Sequence, residues 1–567
     1  MLRHQFKILI RNIRKHPGHF LLILGNLALG FAACFAIVLY IYDEVSYDRF
    51  HSQEENIYRL TMDITEEGTT REFVMTPPMG APDLKAEFPA VQEFVRLRKT
   101  AGTVSTSDHR FREENVFYAD STFFRVFSLR LLKGNPRTVL RRPYTVVITE
   151  SMAEKYFGND NPIGRTLQIQ PGFQQDQQEV EVTGVVEDPP DQSHFHLQCL
   201  ISMTTLDARE LRSYSHTVYY SYLLLHPEAS GQELEAQFPG FLTRQSGPEA
   251  TEWLTLHLQP ITDIHLRSHR EGEIEANSSL LHLYILGTIA VFVLFISAMN
   301  FINLSIARAG VRLPDIGVRK VFGAGRHSLI AHFLFESVLL AGLAGLLALV
   351  ILDVALPLLQ WIAARDLSLW QSTSLVVPSA LLLLILFTGL ASGVYPALAL
   401  TGDWPVTALS GRRKPRFRGA NVSKVLVVAQ FALSVILIVG TLTAWRQLRF
   451  VQNKELGFAE DQLVVLPLQL TDNSAETLAQ FKHRLLRHTG IEAVTGSRGV
   501  LGRGVASSTF YPGGEAANQP RIMRVLHVDA DFIATYGMSL TAGRDFSRTT
   551  GMEREAVILN QTAVDLL

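Results

Sequence analysis

Cysteine is nearly absent from this chain. Its 567 residues hold two, Cys34 and Cys199, the first inside a long apolar run and the second in a stretch of soluble composition. So placed, they encode no disulfide framework. Net charge is nearly absent too, at −2. The basic excess that holds nucleic acid is missing, and no nucleic-acid partner is expected. Also missing is the phosphate-binding pattern G-x-x-x-x-G-K-[ST]; Gly317 to Gly323 comes near it, with the wrong spacing and no Lys after the second Gly. Without that cradle the chain is not expected to hydrolyse ATP. His194 and His196 alternate, and His265 and His269 stand four apart, but no Cys or third His sits at a ligand spacing and nothing like H-E-x-x-H is present. Structural roles are expected for these histidines, with no catalytic residue, no cofactor and no metal in this chain.

What is abundant is apolar surface. Hydrophobic residues make up 47% of the sequence, concentrated in five long runs at 20–42, 281–306, 333–359, 375–400 and 422–448. Each is long enough for a helix that crosses the hydrocarbon core. Five buried helices of a soluble protein would demand a far larger core than the rest of the sequence can build. The predicted fold is an α-helical membrane protein with mixed α/β extracytoplasmic domains and five transmembrane helices in this chain. The first run is too long for a cleaved signal, because it continues eight residues past Cys34. Asn26, Asn300, Asn303 and Gln430, with Gly25, read as interhelical packing and hydrogen bonding. Glu336 and Asp353, the only acids within the runs, lie near enough to the ends to reach the interface.

Lys and Arg set the expected orientation. Arg3, Lys7, Arg11, Arg14 and Lys15 precede the first span with no acid among them; Arg308, Arg312, Arg319, Lys320 and Arg326 follow the second; Arg412, Arg413, Lys414, Arg416 and Arg418 follow the fourth. The connection after the third carries only Arg365 and Asp366. Alternation then makes 1–19, 307–332 and 401–421 cytoplasmic, and 43–280 and 449–567 extracytoplasmic. In the first outer stretch, 144–148 and 179–186 read as strands and 150–157 as a helix ending at Gly158.

The two outer stretches match each other. Val116-Phe117, Asp120, Phe123, Phe127, Leu131 and Gly134 recur 409 residues later as Val525-Leu526, Asp529, Phe532, Tyr536, Leu540 and Gly543. At a spacing of 410, Val147-Ile148 and Ala153 meet Val557-Ile558 and Ala563, so a strand is expected near 556–559. One span leads into each matched domain, and the first copy continues with three more spans. The repeat predicts a C-terminally incomplete sequence, short of roughly 200–250 residues and three spans.

The connection after the second span carries a further pattern. Pro314 suits helix position N1, Asp315 the first turn, and Gly323 the position past the end. Val318, Val321 and Phe322 fall at i, i+3 and i+4, and Asp315 can pair with Arg319. This is either a short amphipathic helix shaped to dock or a basic loop that only enforces topology.

Ile316-Gly317-Val318-Arg319-Lys320-Val321-Phe322-Gly323-Ala324 resembles the coupling-loop signature of FtsX/MacB-type ABC transporter permeases. Asn300-Phe301-Ile302-Asn303-Leu304-Ser305 and Phe335-Glu336-Ser337 on either side are similar as well. So are Tyr47-Asp48-Arg49-Phe50-His51, Ile57-Tyr58-Arg59, Ser193-His194-Phe195-His196, Leu456-Gly457-Phe458, Gly537-Met538 and Gly543-Arg544-Asp545-Phe546. The likeness runs over essentially the whole chain and fits the duplicated, eight-span type common in Bacteroidota. Leu313-Pro314-Asp315 departs from it, where the family has a more basic run ending in Glu. The resemblance implies a MacB-like periplasmic core domain at 43–280, an FtsX-like permease domain at 281–400 and a multi-pass protein of the bacterial inner membrane with its N-terminus cytoplasmic. It implies that a separate cytoplasmic ABC ATPase, which binds ATP, docks on Arg312, Pro314, Asp315, Ile316, Gly317, Val318, Arg319, Lys320, Val321, Phe322, Gly323 and Ala324. Other implied partners are membrane lipids, a periplasmic adaptor and a second permease, as homodimer, heterodimer or pseudo-dimer through the repeat. The implied function is efflux driven by that ATPase. A permease that only signals to a periplasmic partner, and a membrane-anchored binding protein without an ATPase, are the alternatives.

Overall fold

Backbone polar groups cannot stay unpaired in hydrocarbon, so a long apolar run in a membrane protein closes its hydrogen bonds within a helix. A computed structural model describes residues 17–66, 69–174, 176–214, 216–307, 316–363, 365–368, 376–401, 420–459, 462–468, 474–502, 507–510, 521–547 and 556–566. Each of the five runs is one helix there: α1 (Pro17–Val45), α2 (Leu280–Ala307), α3 (Arg326–Ala363), α4 (Val376–Thr401) and α5 (Ala420–Gln452). All five are long and apolar enough to cross a membrane.

Helices α1 to α4 share one core. Leu27, Phe31 and Phe35 of α1 meet Phe301 of α2, Ala344, Ala348 and Leu352 of α3, and Leu381 of α4. Lipid tails are as apolar as these side chains, so close backbone approach and interhelical hydrogen bonds must hold the bundle. Both are present. Asn300 Nδ2 donates to Asn26 Oδ1 at 3.0 Å, and Asn26 Nδ2 donates to the Ser297 carbonyl at 3.1 Å. A Cβ on Gly389 of α4 would sit 3.0 Å from both Val338 Cα and Ala341 Cβ of α3. Cys34 is buried in α1 and Cys199 in a strand of the outer domain, both as free thiols.

Between α1 and α2 the chain builds a mixed α/β domain on an 11-stranded sheet. Its strands are β1 (Ile57–Glu66), β2 (Thr69–Phe73), β3 (Val91–Ser105), β4 (Arg110–Ala119), β5 (Leu131–Lys133), β6 (Thr145–Thr149), β7 (Thr166–Pro171), β8 (Gln178–Val186), β9 (Cys199–Ser202), β10 (Tyr220–Leu225) and β11 (Leu254–Pro260). The main order is β11-β1-β10-β3-β4-β9-β6-β8-β5, with β2 on β1 and β7 bridging β3 and β8. The strand and helix expected near 144–157 are β6 and the helix Glu150–Phe157. Thr149 Oγ1 caps that helix by accepting from Met152 N, and Gly158 ends it.

The chain divides into two compact units, Met1–Pro171 with Gln177–Thr441, and Gly172–Asp176 with Leu442–Leu567. The second repeats local geometry of the first. Helix Phe123–Val126 answers to helix Phe532–Thr535, at the spacing of 409. Asp120 N–H donates to the Arg96 carbonyl (3.4 Å) and its carboxylate accepts from Arg96 N–H (2.9 Å). Asp529 makes the same exchange with Gly496, at 3.1 and 2.8 Å. Leu97 pairs antiparallel with Ala119, and Ser497 with Val528. Gly134 and Gly543 both take positive φ, 105° and 85°.

Two details of the repeat are corrected. Asn560 Oδ1 accepts from Ala563 N–H as Thr149 does from Met152, which sets the spacing there at 411. Residues 556–559, expected as a strand, do not form one. Its counterpart β6 is paired by β8 and β9, strands that come later in sequence.

The α3–α4 contact gives a stability test. Gly389→Leu forces a side chain against the Val338 backbone, and overpacking of this kind costs about 1–3 kcal/mol. Thermal unfolding of the detergent-purified chain should start at a lower temperature for Gly389→Leu than for Gly342→Leu, where a Cβ meets nothing within 4 Å; equal temperatures would mean that α3 and α4 are not packed this closely.

Candidate functional site

The connection between α2 and α3 holds a short helix, residues 316–321. Gly323, at φ 89°, ends it. Gly323 N–H donates to the Lys320 carbonyl and Ala324 N–H to the Arg319 carbonyl, each at 3.0 Å, a Schellman stop that glycine's left-handed conformation permits. One side of the helix faces inward: Ile316 packs with Leu329 and Phe333 of α3 and Ala397 of α4. The other side is bare, with Val318, Val321 and Phe322 exposed by 47, 64 and 87%. Of the residues expected in the loop, Arg312, Pro314 and Asp315 lie outside the described residues, so the Asp315–Arg319 pair does too. Gly317 is buried beside Ile316, Arg319 and Lys320 are half-buried, and Ala324 packs on the Ile316 cluster.

A second polar centre lies at the other end of α3. Asp43 and Glu44 occupy the last turn of α1, and Glu44 has no exposed side-chain surface. Arg365, just past α3, donates from Nη1 to Glu44 Oε1 at 2.6 Å and to Asp43 Oδ2 at 3.3 Å. The other Glu44 oxygen lies 2.8 Å from His265 Nε2 of the outer domain. The His265 ring stacks on Tyr47 with centroids 3.4 Å apart, and the Arg365 guanidinium lies 5.3 Å from the same Tyr47 ring. Ser278 N–H, two residues before α2, donates to the His265 carbonyl at 2.9 Å.

The chain then turns into the outer domain at Asp48, which takes φ 59°. Asp48 Oδ1 lies 2.8 Å from His194 Nδ1, and Asp48 N–H donates to the Gln192 carbonyl at 2.8 Å. His194 Nε2 meets the Tyr222 hydroxyl at 2.7 Å. His196 turns elsewhere, with Nδ1 2.9 Å from Glu275, and that hydrogen bond raises its pKa. The two alternating histidines therefore serve separate structural partners. Arg59, fully buried, is held by both Glu273 oxygens at 2.6 and 2.8 Å and by Gln259 at 2.7 Å.

Residues 20–240 match the family model for the MacB-like periplasmic core domain, and residues 287–403 match that for the FtsX-like permease C-terminal domain. The chain belongs to the FtsX/MacB-type ABC transporter permeases. The permease is 25% identical over 274 residues to the macrolide export ATP-binding/permease protein MacB of Aggregatibacter actinomycetemcomitans, covering 45% of this chain and 38% of that one. With the protein of the same name from Bradyrhizobium diazoefficiens it shares 24% over 325 residues, 55% of this chain and 46% of that one. The permease thus spans less than half the length of these curated relatives. Among solved structures it is similar to a permease domain from Porphyromonas gingivalis, at TM-score 0.33 and 20% identity over 42% of this chain and 99% of that one. The periplasmic region of MacB from Actinobacillus actinomycetemcomitans is similar at TM-score 0.27 and 17% identity, over 37% of this chain and 89% of that one.

Two of the segments that carry the resemblance meet in space. Tyr47 to His51 and Ser193 to His196, far apart in sequence, join through Asp48 and His194, and Arg59 stands behind them. Sequence reasoning missed the cluster of Asp43, Glu44, His265 and Arg365. Its one visible sign was that Arg365 is the single base of its connection.

His51 gives the domain a pH dependence. It is 2% exposed, and its Nδ1 accepts from Ser128 N–H at 3.2 Å. Burial, outweighing the attraction of Asp48, holds its pKa down at about 4, against 6.5 for the free side chain. The unfolded chain binds the extra proton between those values. Stability is therefore full above pH 6.5 and falls as the pH drops towards 4, by on the order of 3 kcal/mol. Urea unfolding of the purified permease followed across that range should show the decline, and His51→Asn should flatten it; an unchanged slope in the variant would assign the effect to other groups.

Proposed function

We propose that this permease carries conformational change across the inner membrane. A separate cytoplasmic ABC ATPase, binding and hydrolysing ATP, moves the helix at 316–322; α2 and α3 relay the motion, and the outer domains respond to drive efflux of a substrate handled outside the membrane. The N-terminus and the 401–421 loop lie on the same cytoplasmic side.

The observation that carries this reading is the bare apolar face of Val318, Val321 and Phe322 on a helix whose opposite face is fixed to α3 and α4 by Ile316. An exposed phenylalanine beside two exposed valines suits a groove on a partner protein, where buried apolar anchors supply most of the binding energy. Arg319 and Lys320 suit the rim of that contact or the anionic headgroups of the inner leaflet. The link is α3 itself: 38 residues, with Pro357 near the outer end, span about 57 Å at the rise of an α-helix. It begins at the docking helix and ends beside Arg365. A second permease, a pseudo-dimer through the repeat and a periplasmic adaptor fit the same scheme as further partners.

Two measurements test it. In co-purification from membranes, Phe322→Ala should lose the ATPase far more than Lys320→Ala, by about 2 kcal/mol of binding if Phe322 is a dominant anchor. Both variants should still insert, because the other basic segments keep the orientation. Retention of the ATPase by Phe322→Ala with its loss from Lys320→Ala would make the contact electrostatic instead. For topology, cysteines placed at Ser107 and Ser328 in a background lacking Cys34 and Cys199 should label oppositely with an impermeant thiol reagent in spheroplasts. Equal labelling rejects the proposed orientation.

A further inference from the structure

The docking helix explains how motion would enter the membrane bundle. Nothing so far explains how it leaves, and the residues for that stand at the far end of α3. Four separate segments converge on one buried carboxylate there. Glu44 comes from the last turn of α1, Arg365 from just beyond α3, His265 from the outer domain, and Ser278, on the approach to α2, holds the His265 carbonyl. Gln192 of the outer domain donates to Asp43 beside it.

Arg365 is fixed before it reaches Glu44. Gln360, in the last turn of α3, donates to Asp366 Oδ1 at 2.9 Å and to the Leu367 carbonyl at 2.8 Å, and its own carbonyl accepts from Arg365 N–H at 3.3 Å. The connection is thereby folded back on the helix end, and the guanidinium is presented to both carboxylates. The planar face left over lies on Tyr47, which His265 covers from its own side by stacking. Separating Arg365 from Glu44 would leave a carboxylate with no exposed surface without its guanidinium, and a buried charge stripped of its partner is strongly destabilising.

The matched junction of the second repeat is built differently. Asp48, at φ 59°, and Gly457, at φ 81°, occupy the same turn at the spacing of 409. That spacing sets Gln452 and Asn453, two neutral amides, where Asp43 and Glu44 stand.

We propose that Asp43, Glu44, Arg365 and His265 form an ion-pair clamp that makes the first outer domain move as one piece with α1 and α3, and that the second repeat lacks this clamp at its own junction. Arg365 is a positioning residue in this scheme. The functional meaning of the clamp rests on the transmission reading above, but its existence does not require an ATPase.

The test is a double-variant cycle on the full chain in lipid nanodiscs, without ATPase, read by amide hydrogen exchange. Arg365→Met and Glu44→Gln should each speed exchange at least tenfold in residues 43–48 and 264–278, leaving the central strands β3, β4 and β10 unchanged. The double variant should be no faster than the faster single one, because both remove the same pair. Arg365→Lys should recover most of the protection. Asn453→Ala should leave exchange at 452–458 as in wild type. If Glu44→Gln fails to fold, Asp43→Asn, at the more exposed acid, completes the same cycle. Wild-type exchange in Arg365→Met, or effects that multiply in the double variant, would overturn the clamp. Loosening at 452–458 in Asn453→Ala would overturn its confinement to the first repeat. Co-purification of an ATPase is measured separately on the same variants: its absence from wild type would sink the transmission reading and leave the exchange result to decide the clamp.

Discussion

A carboxylate with no exposed surface cannot stand alone at the edge of a membrane, and Glu44 is such a group. Its charge is tolerable only because Arg365 and His265 face its two oxygens. Meeting that demand ties together parts of the chain that lie far apart in sequence. The end of α1, the exit of α3 and the last short helix of the outer domain must all arrive at one point. The domain's seat on the membrane bundle follows from that requirement. The turn at Asp48, a few residues on, then fixes how the chain enters the sheet, because Asp48 locks to His194 and Gln192 on the return segment.

The bundle below obeys a different rule. Hydrocarbon removes the hydrophobic reason for helices to associate, so α1 to α4 rely on small residues and a few hydrogen-bonded amides. Gly389 against Val338 and Ala341 lets α3 and α4 approach closely, and Asn26 with Asn300 pins α1 to α2. Packing this close resists sliding. The Ile316 cluster, where the short helix at 316–321 rests on α3 and α4, stands at one end of this packing and Arg365 at the other.

How much of this could be read in advance depends on how local each signal was. The five helices were legible because each is a continuous apolar run, and their ends lie within a few residues of the hydropathy limits except at α3, which starts earlier and ends later than its apolar run. The helix at 150–157 was legible from its own composition and from Gly158. The short helix at 316–321 was legible in its apolar face and its glycine stop, both set by neighbours in sequence. The cluster around Glu44 was not, because its members stand at positions 44, 265 and 365 and each is unremarkable by itself. An acid at a span's end reads as a boundary, a lone arginine in a short connection as topology, and a histidine four residues from another as a weak metal motif. The strand expected at 556–559 failed for the opposite reason. Its β-branched composition is a local signal, but a strand exists only through its neighbours, and those of β6 come from later in the chain.

The repeat makes the last step possible. Two copies of one domain keep the same local parts: the aspartate that exchanges hydrogen bonds with a neighbouring segment, the aromatic pair Phe123–Phe127 or Phe532–Tyr536 at a short helix, and the glycine at positive φ. They differ where the domain meets its membrane helix. Fold-defining positions are constrained by packing in both copies alike, whereas a junction is constrained by what has to be passed through it. Acids at 43 and 44 stand against amides at 452 and 453, so the carboxylates that meet Arg365 and His265 at the first junction have no counterpart at those two positions of the second.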